Sequence, residues 1–401
     1  MRNKLVLLLA LVAVACAPRM YPWERSRSAA PVFADLDIVG AWHREPLEWD
    51  AARFAPHVSC TDASGQEQWL FEAFLFLEAH DVFRHRTFAL GPSGISATRE
   101  SWEDQLNRWL AAGGAVSELD KACAEVAGRI GKPAHKRYVV ITIPDAIKFL
   151  EFRDKSSSTK YWGAAYGDSL DFASPEARIE AYKWYIDEAR KRFAALNCKQ
   201  VELAGFYILS EDLHTPWGET ELERLNCQHK NWEEIIPAVA SYLHGLNEGL
   251  WWVPYHLAPG YKYWKRYGFD MAYMQPNYYW DLKAPGRHPF EKTIEAVKEY
   301  GMGIELEFEY SCVASAMAVE KTGPDGDGRM IFTEADVPAL KDMFRTYLQQ
   351  IKENGLYGTV PIALYSGTNA LTQLATSPLP EDTQLYDELC RFILENPLRQ
   401  Q

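Results

Sequence analysis

The stretch VELAGFYILSE, Val201–Glu211, is an apolar run that ends in a carboxylate. A run that is apolar at most positions is typical of a strand buried on both faces, as the strands of parallel sheets are. A carboxylate in the middle of such a strand would carry a heavy desolvation cost. We therefore expect Glu211 to lie at the carboxyl end of a strand, where it can face water and a substrate. The alternative is an exposed loop carboxylate that caps the following helix.

Similar runs alternate with helical patterns along the rest of the chain. The predicted strands are Asp37–Trp42, Trp69–Glu78, Arg137–Pro144, Val201–Glu211, Leu250–His256, Asp270–Tyr279, Met302–Glu309 and Gly358–Ser366. Alternation of strands and helices predicts parallel strands joined by crossover helices. Eight such units predict an α/β fold of the (β/α)8 TIM-barrel type, with long loops after the strands. An open doubly wound sheet is the alternative.

The helices between the strands have ends that can be read from the sequence. Ser174 followed by Pro175 is typical of a helix start, because Ser caps free backbone N–H groups and Pro fits the first turn. Thr333 and Asp336 resemble a capping box, with Asp in place of the usual Glu. Gly355 is expected to end the helix that follows.

The first residues predict a targeting segment that is not part of the fold. Arg2 and Lys4 precede a short apolar segment, Leu5–Val14, which is too short to span a membrane. Small residues then lead to Cys16, a pattern that resembles a bacterial lipoprotein signal. A plain secretory signal is the alternative.

This pattern predicts a signal peptide over residues 1–15, a lipidated N-terminus at Cys16 with a tether over residues 16–33, and one catalytic barrel over residues 34–401. The protein would then be lipid-anchored to the bacterial cell envelope, on the periplasmic or outer-membrane surface. The anchor is the only membrane contact that we expect.

The bulk composition excludes some classes of function. The chain has 401 residues, 47% of them hydrophobic, which is enough for a large folded core. Its formal net charge of -13 argues against a nucleic-acid partner, because phosphate backbones require clustered Lys and Arg. The sequence contains no GxSxG, P-loop, HxH or HExxH motif, and we expect neither a metal nor another cofactor.

The cysteines form no recognisable framework. After Cys16 the chain contains Cys60, Cys123, Cys198, Cys227, Cys312 and Cys390. An even number outside the cytosol permits disulfides, but the six are scattered without a CxxC pair. We expect most of them to be buried free thiols.

A second acidic stretch lies in GMGIELEFEY, Gly301–Tyr310. Glu305, Glu307 and Glu309 occupy alternate positions and therefore share one face of the predicted strand. An outward face would press three charges against the helical layer, so we expect the three to point inward, with Glu305 deepest. A solvated edge strand is the alternative.

The fourth and seventh strands lie on opposing parts of an eight-stranded ring, so their ends can face each other across a ligand. A glycoside hydrolase needs two such carboxyl groups, one to protonate the leaving oxygen and one to attack the anomeric carbon or activate water. This placement resembles the clan of retaining barrel glycosidases. The resemblance implies Glu211 as acid/base and Glu307 as nucleophile, with Glu309 as a close second. The clan usually has Asn before the strand-four Glu, where this chain has Ser210.

A closer resemblance is to a family of uncharacterised bacterial lipoproteins of similar length, catalogued as a domain of unknown function. It rests on LAGFYILSE, VPYHLAPGYKYWKRYGFDMAYMQPNYYW and GMGIELEFE, and extends over roughly residues 35–370. The family pattern prefers Asp-Gly where this chain has Glu72-Ala73. The resemblance implies the barrel and the strand order, and it supplies no chemistry.

Aromatic and polar residues near the strand ends are suited to a sugar, because aromatic rings stack on sugar C–H faces and hydroxyls need polar partners. Aromatic residues make up 13% of the chain. The candidate substrate-binding residues are Glu78, Tyr207, Tyr255, His256, Gln275, Asn277, Tyr279 and Tyr365.

The sequence thus predicts a retaining glycoside hydrolase that acts on an extracytoplasmic oligo- or polysaccharide. One alternative is a glycan-binding lipoprotein on a barrel without turnover. Another is a metal-assisted hydrolase that uses Glu78, Asp145 and His256.

Overall fold

The fold is described from a computed structural model. The structure describes residues 30–41, 49–89, 95–147, 162–218, 221–224, 230–317, 332–367 and 369–400. The predicted signal peptide and Cys16 lie outside these residues, as does Cys227. Among the described helices, none is both long enough and apolar enough to cross a bilayer.

Eight parallel strands form a closed barrel in which each strand pairs with its neighbours in the chain, and β8 pairs with β1. This confirms the predicted (β/α)8 TIM barrel. The barrel strands are β1 Asp35–Ala41, β2 Ala73–Glu78, β3 Arg137–Ile143, β4 Val201–Ile208, β5 Gly249–Trp252, β6 Met271–Met274, β7 Gly303–Glu307 and β8 Ile362–Tyr365.

Helices surround the barrel, and three small sheets lie in the loops. The helices are α1 Ala51–Val58, α2 Arg99–Leu110, α3 Ala115–Ile130, α4 Pro175–Leu196, α5 Glu221–Arg224, α6 Trp232–Gly245, α7 Trp264–Tyr267, α8 Phe290–Tyr300, α9 Ala314–Met317, α10 Val337–Glu353, α11 Ala370–Thr376 and α12 Pro380–Leu394. The small sheets pair Ser59–Thr61 with Glu67–Trp69, His80–Asp81 with Arg86–Thr87 and Ile95–Ser96, and Ala164–Ala165 with Asp168–Ser169.

The predicted helix ends are confirmed. The Ser174 hydroxyl accepts the backbone N–H of Ala177 at the start of α4. Thr333 and Asp336 form the capping box, around a 3₁₀ turn that leads into α10. Asn354 is the C-cap of α10, and Gly355 follows with a φ of 71°.

All the barrel strands except β2 are shorter than predicted at their carboxyl ends. β4 ends at Ile208, so Glu211 lies in the loop beyond it. β6 ends at Met274, and Asn277, with a φ of 54°, is the N-cap of the 3₁₀ helix that follows. The predicted second strand also spans two elements: Trp69 belongs to a hairpin, and β2 begins only at Ala73. An apolar run marks burial and does not mark where the ladder of backbone hydrogen bonds stops.

Alternate residues of each strand face the helices and the barrel interior. Phe74 of β2 contacts Phe54 of α1, with ring centroids 6.4 Å apart. Phe308, directly after β7, contacts Phe344 of α10 at 4.9 Å. The residues between these outward positions face inward, which places Glu307 on the inner face of β7.

Aromatic rings close the amino end of the barrel. Phe33, which precedes β1, stacks on Trp251 with ring centroids 5.2 Å apart and lies 5.6 Å from Tyr138. All of these side chains are buried or half-buried. The inner carboxyl groups therefore lie toward the other end, at the carboxyl ends of the strands, where the enzymes of this fold carry their active sites.

Candidate active site

Glu307, the last residue of β7, is fully buried and is held by three side chains. Its Oε2 accepts hydrogen bonds from Gln275 Nε2 at 3.2 Å and from Trp280 Nε1 at 3.1 Å. Its Oε1 accepts one from the Tyr347 hydroxyl at 2.9 Å. Three donors around one carboxylate stabilise its ionised form and fix its orientation.

The donors come from two different βα units. Gln275 follows β6, where its backbone N–H donates to the carbonyl of Pro254 at 2.9 Å. Trp280 lies in the 3₁₀ helix Tyr278–Lys283, directly after β6. Tyr347 reaches the site from α10, where its hydroxyl also accepts the backbone N–H of Tyr279 at 2.7 Å. The sixth and seventh units therefore lock together around Glu307.

Burial raises the pKa of Glu307 to about 7. The hydrogen bonds from Gln275, Tyr347 and Trp280 oppose this shift, as does the backbone N–H of Asn277. The ionised and protonated forms of this carboxyl group are therefore both populated near neutral pH.

Glu305 lies two residues before Glu307 on the same inner face and is 3% exposed. Within the described part of the chain, its Oε2 has no hydrogen-bond partner. Burial raises the pKa of Glu305 well above its usual range, and the charges of Glu307 and Glu211 raise it further. Its surroundings therefore favour the protonated form of Glu305.

Glu211, three residues beyond β4, lies close enough to act electrostatically on Glu305. Its charge also acts on the tyrosines Tyr207 and Tyr255, whose pKa values are raised by burial first and then by nearby carboxylates. Tyr207 is buried on β4 and feels Glu305 and Asp145 as well. Glu211, beyond β4, and Glu305 of β7 thus lie within electrostatic range of each other, and Tyr207 lies within range of both.

Glu309 lies beyond β7 as the N-cap of a short 3₁₀ helix, and it is buried. Its Cγ lies against Gly367, after β8, where an added Cβ would be only 3.2 Å away. Its backbone N–H bonds to the hydroxyl of Tyr279, which also lies 2.8 Å from Ser311 Oγ. Tyr279 therefore supports the backbone after β7 from a fully buried position.

The structure does not bring Glu78 to the carboxyl cluster. Its Oε2 lies 2.6 Å from Arg108 Nη2 of α2. The reason is its register, because Glu78 shares the outward face of β2 with Phe74 and Phe76, which pack against helices.

His256 also turns away from the cluster. Its Nδ1 lies 3.0 Å from Thr293 Oγ1 of α8, and its ring is 5.4 Å from that of His288. Burial, followed by the nearby His288, lowers the pKa of His256 to about 4, so the ring is neutral at pH 7. The Asn277 side chain is likewise occupied, because its Oδ1 accepts the backbone N–H of His256 at 2.8 Å.

The predicted site residues therefore divide into those near the carboxyl cluster and those with other partners, namely Glu78, His256 and Asn277. The structure gathers Glu211, Glu307, Tyr207, Tyr255 and Gln275 around the carboxyl end of the barrel, and Tyr365 is in register with Glu307 on the adjacent strand. Among the residues that the structure describes, no group of three or more His, Cys, Asp or Glu side chains is arranged to hold a metal ion.

Three residues of the site were not among the predicted site residues. Glu305 shows the same alternation as Glu307 and could have been included on that ground. Trp280 directly follows the predicted sixth strand, and this position at a strand end could have identified it as a candidate site residue. Tyr347 lies in the middle of α10, and no local pattern distinguishes it from a core residue.

The fold and this site together define an α/β-barrel protein with a cluster of carboxyl groups at the carboxyl end of its strands. The chain belongs to the family described as "Domain of unknown function (DUF4855)", which matches residues 38–323. That match includes Glu211 and the whole of β7. No curated protein matches the sequence.

Proposed function

We propose that the protein is a glycoside hydrolase that cleaves an extracytoplasmic oligo- or polysaccharide. The observation that carries this proposal is the position of Glu211, beyond β4, within electrostatic range of Glu305, on the inner face of β7 beside Glu307. Glycosidic bond cleavage requires two carboxyl groups on opposite sides of the bond, one to donate a proton and one to act as an ionised carboxylate.

In this mechanism Glu211 protonates the leaving oxygen and Glu307 attacks the anomeric carbon. Water, activated by Glu211 after it has lost its proton, then releases the sugar from Glu307. The donors Gln275, Trp280 and Tyr347 support this role because they orient the Glu307 carboxylate. The burial of Glu305 favours its protonated form, which would limit the negative charge beside the nucleophile.

Glu309 is the second candidate for the nucleophile, because it is buried directly beyond β7. Covalent trapping of the glycosyl-enzyme intermediate distinguishes Glu307 from Glu309 as the nucleophile. A 2-fluoro-glycoside of the cleaved sugar should label Glu307, as located by peptide mapping. Label on Glu309 would identify Glu309 as the nucleophile instead. In a separate measurement, proton NMR of the first product anomer would distinguish retention of configuration from inversion.

The function is tested by screening the full-length protein against a glycan panel. Glu211→Gln and Glu307→Gln should each lower kcat by at least about 100-fold while ligand still binds. The matched controls are Glu202→Gln and Glu295→Gln, which change exposed residues on β4 and α8. Both variants should keep full activity. Full activity of Glu211→Gln would overturn the proposal.

A glycan-binding protein without turnover is the second candidate. The observation that favours it is the complete burial of Glu307, with both oxygens already occupied by protein donors. A binder would bind glycans from the panel without product, and Glu211→Gln would change the affinity little.

Lipid anchoring through Cys16 is part of the same proposal. Expression of the full chain in a bacterium should place it in the membrane fraction, with a diacylglyceryl modification on Cys16 detected by mass spectrometry. Cys16→Ala should release the protein from the membrane. Membrane association that survives this substitution would exclude the lipid anchor.

A further inference from the structure

The first small hairpin of the chain is joined to its last long helix. The Tyr386 hydroxyl of α12 lies 2.7 Å from the carbonyl oxygen of Pro56 and 3.3 Å from that of Ser59. Cα atoms of α12 and of the strand Ser59–Thr61 come within 8 Å of each other. This contact holds the two ends of the barrel sequence together.

Two cysteines lie inside this contact. Cys60 directly follows Ser59, and Cys390 lies four residues after Tyr386, on the same face of α12. The two thiols form a side-chain hydrogen bond with each other, and the Cys390 thiol also bonds to the Tyr386 hydroxyl. Cys60 is 6% exposed and Cys390 is 1% exposed. Both are free thiols in the structure.

We propose that Cys60 and Cys390 form a disulfide when the chain folds in an oxidising compartment. The oxidant is the disulfide of a thiol–disulfide oxidoreductase or of a small molecule such as glutathione disulfide. One cysteine thiolate attacks that disulfide and forms a mixed disulfide, releasing the first thiol of the oxidant. The second cysteine then attacks, the S–S bond between Cys60 and Cys390 forms, and the second thiol leaves.

The burial of the pair sets the time at which this reaction can occur. Burial raises the pKa of the Cys390 thiol far above its usual range, and the neighbouring Cys60 raises it further. Exchange requires a thiolate that the oxidant can reach, so the folded protein should react slowly. Oxidation is therefore expected before α12 packs against the hairpin.

The disulfide would close a loop that contains nearly the whole barrel. Long closed loops restrict the unfolded chain most, so the unfolding equilibrium constant should fall by roughly tenfold or more upon oxidation. This proposal does not depend on the carboxyl cluster, which lies elsewhere in the fold, and glycan cleavage should not require the disulfide.

The test is to refold the full-length protein in a glutathione redox buffer. Free thiols are then alkylated under denaturing conditions, and the non-reduced protein is analysed by peptide mapping. We expect a peptide in which Cys60 is linked to Cys390, and slow formation of the same link when folded, reduced protein is given the same buffer. The linked form should unfold at a higher urea concentration than the reduced form.

Cys198→Ser, at a partly exposed cysteine, is the matched control and should retain the link. Cys60→Ser and Cys390→Ser should each abolish it. Alkylation of both Cys60 and Cys390 after oxidative refolding, or links of either to other cysteines, would overturn the proposal. Peptide mapping of the unsubstituted protein shows whether Cys60 and Cys390 are linked, even where a variant fails to fold.

Discussion

The Tyr347 hydroxyl donates to Glu307 Oε1 at 2.9 Å and accepts the backbone N–H of Tyr279 at 2.7 Å. One side chain of an outer helix thereby orients a carboxyl group on the inner face of the barrel. One turn earlier in α10, Phe344 packs against Phe308 directly after β7. The position of α10 thus determines both the packing of β7 and the orientation of its terminal carboxylate.

Tyr347→Phe should destabilise the protein more at high pH than at low pH. The substitution removes a hydrogen bond to Glu307 and leaves that carboxylate with fewer donors, which matters most when it is ionised. We expect a loss of roughly 1–3 kcal/mol in the free energy of unfolding at pH 8 and a smaller loss at pH 5. Urea denaturation at the two pH values measures the difference.

Tyr357→Phe is the matched control, because the Tyr357 hydroxyl donates to an uncharged group, the carbonyl of Phe392, at 2.7 Å. Its loss of stability should be the same at pH 5 and pH 8. Equal losses at both pH values for Tyr347→Phe would mean that Tyr347 does not act through the charge of Glu307.

The stability of the protein should fall as the pH rises from about 4.5 to about 7. Burial raises the pKa of Glu307 from 4.5 to about 7, so the folded state binds this proton more tightly than the unfolded state does. The stabilisation is complete below the unfolded pKa and is lost as the pH rises through the folded pKa, by roughly 3 kcal/mol. Glu307→Gln should remove this component from a series of urea curves. An unchanged slope in the variant would contradict the assignment.

Replacement by Met should destabilise the protein much more at Glu307 than at Glu305, the other inward carboxyl group of β7. Glu307→Met leaves three side-chain donors without their acceptor, and we expect a loss of roughly 3 kcal/mol or more. Glu305→Met removes an oxygen that has no hydrogen-bond partner among the described residues, and we expect a change within about 1 kcal/mol at pH 5.

At pH 9 the Glu305→Met variant should be more stable than the unsubstituted protein, because the latter must keep a carboxyl group protonated in the barrel. Thermal unfolding at pH 5 and pH 9 checks both variants. A large loss for Glu305→Met at pH 5 would reveal a structural role for Glu305.

Asp382 of α12 should make the protein sensitive to acid. It accepts hydrogen bonds from Lys341 Nζ at 2.6 Å and Ser377 Oγ at 2.7 Å, and from the N–H groups of Ala314 and Ser315 at the start of α9. Burial alone would raise its pKa, but these donors outweigh it and lower the pKa to about 2. The stabilisation is present above the unfolded pKa, near 4, and is lost as the pH falls toward 2.

Asp382→Asn should therefore lose stability at pH 7, by roughly 2 kcal/mol or more, and progressively less as the pH falls toward 2. Circular dichroism during acid titration checks this dependence. Glu381→Gln, at the exposed neighbouring position, should leave the acid transition unchanged. An Asn variant that unfolds at the same pH as the unsubstituted protein would show that other groups cause acid unfolding.

The alternation in IELEFE was sufficient to predict that Glu305 and Glu307 face inward, because charged and apolar residues differ at every second position. The same reasoning could not be applied to β2. Its residues Ala73–Leu77 are buried throughout, so the sequence carries no signal of which face points inward. Glu78 was included among the candidate substrate-binding residues, and it pairs with Arg108 instead.

The partners of Glu307 were predictable only in part. Gln275 lies close to the end of β6, and the strand order was enough to place it near β7. Tyr347 depends on how far α10 extends along the barrel wall, which is set by the packing of Phe344 and not by any spacing in the sequence. Contacts between elements that are distant in the chain need three-dimensional packing before they can be assigned.

The stack of Phe33 on Trp251 determines which end of the barrel would face a surface that holds the N-terminus of the chain. The polypeptide enters the fold at the end plugged by this stack, opposite to the end that carries Glu211 and Glu307. With Cys16 held in a lipid layer, the plugged end would face the bilayer. The end that carries Glu211 and Glu307 would then point outward, toward the polymers that surround the cell.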